Sequence, residues 1–280
     1  MIDLRSISTG LEPREDGIWY SRTTSKVSYP DDGNEACFKV EDSSFWFRHR
    51  NDCILTAVRS FPPDGRGPIF DVGGGNGFVS LALANAGFDA VLIEPGKTGA
   101  MNARSRGLAH VVCATAETTN FKPHSLPAIG LFDVIEHIED DTHFLRSIHS
   151  LLRPCGHLYA TVPAFSFLWS CEDIQAGHFR RYSLGNFGGK LESAGFEILF
   201  ASYIFCLLPI PIFLLRSLPY RLGLSKREST PNDVSRDHAI QGGVLANALG
   251  TLLRWELGRL NAKKAMRFGG SCLVVARSRS

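Results

Sequence analysis

Asp71-Val72-Gly73-Gly74-Gly75-Asn76-Gly77 follows the apolar run Pro68-Ile69-Phe70 and precedes a second apolar run that begins at Phe78. Pro68 to Gly73 reads as a strand and Gly77 to Ala86 as a helix, so the glycines sit where a strand gives way to a helix. Glycine lets the backbone turn tightly and approach a ligand, and a helix start offers free N–H groups and the positive end of a dipole. That combination suits a nucleotide-type ligand. The dinucleotide fingerprint GxGxxG fails in both registers, because Phe78 and Ser80 stand where its third glycine is required. The pattern that fits is DxGxGxG over Asp71, Gly73, Gly75 and Gly77, with Asn76 inside the loop and Glu94 ending the next strand. A carboxylate at that strand end can accept hydrogen bonds from both ribose hydroxyls. The plainer alternative is a structural glycine turn beside a solvated glutamate.

Outward from the loop, strand and helix take turns. Strands are expected at 89–94, 110–115, 128–134 and 157–162, with helices at 97–107 and 140–153, the last ended by Pro154-Cys155-Gly156. A helix at 184–195, a strand at 196–203 and a last strand at 271–277 complete the pattern. The expected fold is therefore α/β, a doubly wound and mostly parallel seven-stranded sheet with right-handed crossovers. Upstream, a helix beginning near Phe45 ends at Pro62-Pro63, and Ile18-Trp19-Tyr20 can pair in a hairpin within a polar N-terminal appendage, 1–43. About 67 residues separate the last two strands, too many for a loop. They imply a helical insertion, 205–265, inside a main domain of 44–204 and 266–280.

A chain of 280 residues with 44% hydrophobic and 21% charged residues is an ordinary globular protein, so intrinsic disorder is excluded. The net charge of +2 argues against a nucleic-acid partner. That average hides an asymmetry: 216–280 holds twelve Lys/Arg against four Asp/Glu, a net +8, which leaves −6 for the first 215 residues. Seven cysteines without CxxC or CxxH spacing predict neither a zinc ribbon nor a disulfide framework. With no signal-peptide-like apolar stretch at the start, reduced thiols and a cytoplasmic location are expected.

These motifs resemble those of the S-adenosylmethionine-dependent methyltransferases with the Rossmann-like sheet, from about Phe45 to Gly195 and again at the last strand. The resemblance implies S-adenosylmethionine as co-substrate. It puts the glycine loop under the methionine part and Glu94 on the ribose, with Thr115, Ala116 and Phe132 around the adenine. Where the family usually carries Asp before Ala, this chain has Thr115-Ala116-Glu117. Asp133-Val-Ile-Glu136-His137 looks like the DVLEH signature of one methyltransferase branch, and His137 could take a proton from an acceptor hydroxyl. The alternative is helix capping by Asp133 and Glu136 with a supporting histidine. Ubiquinone-pathway O-methyltransferases resemble this stretch and place a divalent metal at the positions of Asp133, Glu136 and His137; metal independence is the favoured expectation, with Mg²⁺ as the minor variant.

A second constellation, Asp173, His178, Arg180, Arg181 and Tyr182, falls in a loop expected after the fifth strand. Asp173 could orient His178 as a base, and the arginines suit phosphate or carboxylate. An internal ion-pair cluster that orders the loop is the competing reading. Phe45 to Arg50 is either a lid or core, and Cys171 is packing. The function expected is methyl transfer to an oxygen, or secondarily a carbon, of a small-molecule acceptor, phosphorylated or lipid-linked variants included. The alternatives are a non-catalytic cofactor-binding subunit or sensor of the same fold, and a nicotinamide dehydrogenase, against which the failed GxGxxG speaks. Ile198 to Leu215 is uncharged for 18 residues, but its first part is needed as a strand and Pro209 and Pro211 interrupt the rest. Beside clustered cations it suggests either peripheral contact with anionic lipid or an apolar face buried against the sheet or a homodimer partner.

Overall fold

Central strands that are buried at every position need cover on both faces, and this chain supplies it. The computed structural model describes residues 2–23, 31–224 and 244–279. Strands β1 (Leu11–Pro13), β2 (Trp19–Ser21), β3 (Ile69–Val72), β4 (Ala90–Ile93), β5 (Val111–Cys113), β6 (Leu126–Phe132), β7 (Leu152–Pro163), β8 (Phe196–Ile204) and β9 (Ser271–Ser278) form one sheet. Its order is β1-β2-β5-β4-β3-β6-β7-β9-β8. All residues of β3, β4 and β6 are buried. From β5 through β4, β3 and β6 to β7 neighbouring strands pair in parallel, and β9 runs antiparallel between β7 and β8.

The expected seven strands thus become nine. The hairpin at Ile18-Trp19-Tyr20 forms, β1 against β2, and β2 also pairs in parallel with β5. Part of the expected appendage therefore continues the main sheet, because a three-residue strand suffices to cap the open edge of β5. Among the helices, α1 (Leu4–Ile7) and α2 (Asp31–Val40) precede α3 (Phe45–Ser60), whose first N–H groups are capped by Ser44. Helices α4 (Phe78–Asn85), α5 (Lys97–Ser105), α6 (Asp141–Leu151), α7 (Cys171–Gln175) and α8 (Leu184–Ser193) follow. Helix α6 stops at Leu151, two residues earlier than Pro154 suggests, because the chain enters β7 at once, with an irregularity in its pairing with β6.

Two cores flank the sheet. On one face α3 and α4 place Ile54, Val58, Val79 and Leu83 against Ile69, Ala128 and Tyr159. On the other, Phe144, Leu145 and Ile148 of α6 and Phe187 and Leu191 of α8 meet Phe70, Ile129 and Leu131.

The insertion begins with α9 (Pro209–Ile212), a π turn (Phe213–Ser217) and α10 (Leu218–Arg221), and resumes with α11 (Val244–Asn261). Helix α11 ends at Asn261, and Lys226 and Arg227 lie outside the described residues. Glu256 of α11 is fully buried. Its carboxylate accepts the backbone N–H groups of Phe205 at 2.7 Å and Cys206 at 2.9 Å, and lies 2.9 Å from His49 Nε2 on α3. One carboxylate thus ties the insertion to the end of β8 and to α3.

Candidate active site

The loop after β3 turns through three glycines with left-handed backbone, Gly73 (φ 71°), Gly75 (φ 54°) and Gly77 (φ 75°). The packing beneath it is tight. A Cβ at Gly74 would stand 2.3 Å from Leu92 and 2.6 Å from the Asp71 carboxylate, and one at Gly73 would stand 2.8 Å from Val134. Gly75 differs: its neighbour on that side is Asn34 Oδ1 at 3.5 Å, so its upper surface stays open. Asp71 is fully buried, accepts the Ser80 hydroxyl at 2.7 Å, and is pushed up to about 6 by that burial. It lies beneath the loop with no exposed surface.

Glu94, at the end of β4, accepts the N–H of Gly75 at 2.9 Å and that of Gly96 at 2.7 Å. Burial raises its pKa, while those two donors and Asn34 of α2 oppose the shift. Asn76 is committed to the protein: its amide donates to the Asn34 carbonyl and to Glu41, and its oxygen accepts from Asn102. Arg106 then pairs with Glu41 at 2.8 Å, so α2 is held across the loop. Thr115 turns toward Thr118, its hydroxyl 3.2 Å from that of Thr118, and Ala116 is buried with its carbonyl accepting from Thr119. Phe132 is buried beneath the site.

At its carboxyl end β6 stops at Phe132 and the chain turns at Asp133 in a left-handed conformation (φ 58°). Asp133 is locked between the Thr161 hydroxyl, 2.9 Å away, and the guanidinium of Arg50. The next turn carries Glu136 and His137. Glu136 is buried, with Oε2 lacking a hydrogen-bond partner; burial, then the neighbouring Asp133, push its pKa well up. His137 bonds to the backbone of Gly177 and Ala176, and burial together with His178 lowers it to about 4. Its ring meets that of His178 edge-on, centroids 4.8 Å apart.

His178 comes from the loop after β7. Ser170 and Asp173 form a reciprocal cap at the start of α7, which fixes the buried Asp173. Asp173 then takes His178 Nδ1 at 2.8 Å and Arg181 Nε at 2.7 Å, and against the effect of burial these two hold its pKa down. With Nδ1–H donated to a carboxylate, the Nε2 lone pair of His178 is left to act. One ligand atom each from Glu136, His137 and His178 lie within 4.8 Å of one another.

Residues 46–200, more than half of the chain, match the family model described as a methyltransferase domain. The chain belongs to that family. This places it among the S-adenosylmethionine-dependent methyltransferases with a Rossmann-like fold. A ubiquinone biosynthesis O-methyltransferase of Aliivibrio fischeri is 28% identical over 97 residues, covering 32% of this methyltransferase and 42% of that relative. The match thus spans less than half of the relative's length. A SAM-dependent methyltransferase of Thermotoga maritima superposes with a TM-score of 0.54 at 18% identity, over 88% of this chain and 94% of that one. Phosphoethanolamine N-methyltransferase 2 of Haemonchus contortus, solved with S-adenosyl-L-methionine, gives 0.54 at 18% identity, over 91% of this chain and 59% of that one. At such identity these two show the fold.

The residues present in the methyltransferase fit S-adenosylmethionine. The open face of Gly75 provides close approach, and a carboxylate with about four acceptor positions has capacity left at Glu94 beyond its Gly75, Gly96 and Asn34 donors. Glu94→Ala is expected to weaken S-adenosylhomocysteine binding by about 1.5–3 kcal/mol, because charge-assisted bonds to ribose hydroxyls would vanish. Calorimetry showing unchanged affinity would remove the ribose from Glu94.

The loop constellation of this methyltransferase divides. Arg180 pairs with Asp141 at 2.8 Å and bonds the Glu139 carbonyl, Arg181 is taken by Asp173 and the Ala164 carbonyl, and buried Tyr182 donates to Asp141 at 2.8 Å. Both expected phosphate-binding arginines are thus spent on carboxylates and carbonyls, and Tyr182 is part of the frame. Only His178 of that run meets His137. The hub Asp141 was not apparent in the sequence, nor was Arg50, since a carboxylate or guanidinium acquires its role from distant partners. Burial raises the Asp141 pKa, but Lys190, Tyr182 and Arg180 together hold it at about 2. A carboxyl depressed in the fold contributes stability above its unfolded value near 3.8 that is lost as pH falls through about 2. Asp141→Asn should therefore lower stability at neutral pH by about 2 kcal/mol and flatten the acid limb between those values. Urea titrations at pH 7 and at low pH check both; an unchanged acid limb contradicts the hub.

The first turns of α3, expected as lid or core, pack inward. Trp46 stacks on Phe205 at 5.3 Å, and Phe47 meets Phe78 edge-on.

Proposed function

We propose that this chain methylates an oxygen of a small-molecule acceptor, with S-adenosylmethionine as methyl donor and His178 as the base. The observation that carries the reading is the Asp173–His178 pair at 2.8 Å, with Nε2 left to act beside His137 and Glu136 at the carboxyl end of β6. The name of the ubiquinone-pathway relative supports oxygen as the acceptor atom. When bound, the sulfonium supplies an electrophilic methyl group. The chain's residues then align the acceptor oxygen and remove its proton to His178 Nε2, while Asp173 holds the tautomer and stabilises the imidazolium. His137 is the poorer base: near pKa 4 and bonded to backbone, it stays neutral and braces the His178 ring. Asp133, paired on both oxygens, is withdrawn from the metal set anticipated with Glu136 and His137.

His178→Ala is expected to keep S-adenosylhomocysteine affinity and to lose roughly 10²-fold in labelled methyl transfer to a panel of hydroxylated acceptors. A fully active variant places the base elsewhere, and bound cofactor without transfer to any acceptor favours a binding subunit. Activity is expected to survive a chelator. Loss restored by a divalent ion would instead assign Glu136, His137 and His178 to that ion.

A further inference from the structure

Helices of soluble domains turn their apolar side inward, but Pro209 to Arg221 also keeps large apolar side chains on its solvent side. Ile210, Leu214 and Leu215 recur at helical spacing on its solvent side, Leu215 being 75% exposed, whereas Ser217 is buried with its hydroxyl lacking a partner. Leu207 before the helix and Leu222 and Leu224 after it are exposed as well. Scattered surface leucines are ordinary, but a continuous row of this length is not. The linking sequence 225–243 is almost wholly polar, with Val234 and Ile240 as its only large aliphatic residues.

The row continues into neighbouring surface. Phe213 meets Phe167 edge-on, and Phe167 stacks on the exposed Phe268. Phe268 lines a groove of about 320 Å³ with Trp255, Arg259 and Arg267. Arg221 lies over Phe213 and bonds the Phe167 carbonyl, and Arg216 pairs with Glu172. Glu172 precedes Asp173, so this surface adjoins the loop that carries His178.

We propose that this face docks the protein on an anionic lipid bilayer, with the leucine row entering the acyl boundary and the flanking arginines on phosphate headgroups. Charge decides between a membrane and a second copy. A twofold dimer would set this patch against itself, cation facing cation, whereas an anionic surface complements the guanidinium groups of Arg221, Arg259 and Arg267 that border its aromatic side chains. Docked in this way, the acceptor loop faces the lipid, and a lipid-linked acceptor reaches His178 without leaving the bilayer. That consequence rests on the proposed function; the docking itself does not.

The test is flotation of the full chain with phosphatidylcholine vesicles, with and without about one-third phosphatidylglycerol, at low and high salt. Binding is expected to anionic vesicles, weakened about tenfold or more by high salt and at least tenfold by Leu214→Glu with Leu215→Glu, at unchanged S-adenosylhomocysteine affinity. Three results overturn it: no flotation with anionic vesicles, equal flotation of the double variant, or a dimer in sedimentation velocity that the double variant dissolves. Calorimetry on the same samples reads the cofactor site separately, so a failed membrane surface with normal cofactor affinity leaves the methyl-transfer reading standing.

Discussion

Gly75→Val should abolish measurable binding of S-adenosylhomocysteine, a loss of at least about 100-fold, while leaving most of the fold in place. Two effects combine. The backbone at Gly75 is left-handed (φ 54°), a region that costs a β-branched residue about 1–3 kcal/mol. The larger effect is steric, since the first heavy atom a Cβ would meet is Asn34 Oδ1 at 3.5 Å, and the side chain would therefore fill the open surface that the ligand must approach. Gly87→Val is the control. That glycine is also left-handed (φ 86°) and has nothing within 4 Å, so it shares the backbone cost and not the steric one. Calorimetry should show binding by Gly87→Val and none by Gly75→Val. Equal affinities would mean that the loop does not cradle the cofactor.

Glu256→Ala should destabilise the protein by about 3–5 kcal/mol, the scale for removing one partner from a buried charged network. The carboxylate satisfies two N–H groups, Phe205 and Cys206, as well as His49. Glu256→Gln keeps one oxygen and should recover part of the loss. Chemical denaturation of both variants checks the order; equal stability of wild type and Glu256→Ala would show that α11 is held by its apolar contacts alone. Because Phe205 also stacks on Trp46, loosening this joint should be felt at the start of α3, where Arg50 reaches Asp133.

What was legible in the sequence is what local chemistry determines. Glycines with acids at defined spacing predict the loop and Glu94, and alternating apolar runs predict the seven strands of the main sheet, in each case because strand, turn and helix are decided within a dozen residues. The DVLEH-like run and the Asp173–His178 spacing likewise marked residues that the fold brings together, His137 against His178 and His178 on Asp173. Tertiary structure alone decided how those residues divide their work. Arg180, Arg181 and Tyr182 are adjacent to His178 in sequence, yet Asp141 and Asp173 absorb them, while Arg50, 83 residues upstream, closes on Asp133. It also decided that β2 would extend the sheet past β5, and that a leucine row would face outward instead of the core. The physical reason is common to these cases: a charged or apolar side chain has no fixed role until long-range packing settles which partner satisfies it and whether water or protein lies opposite.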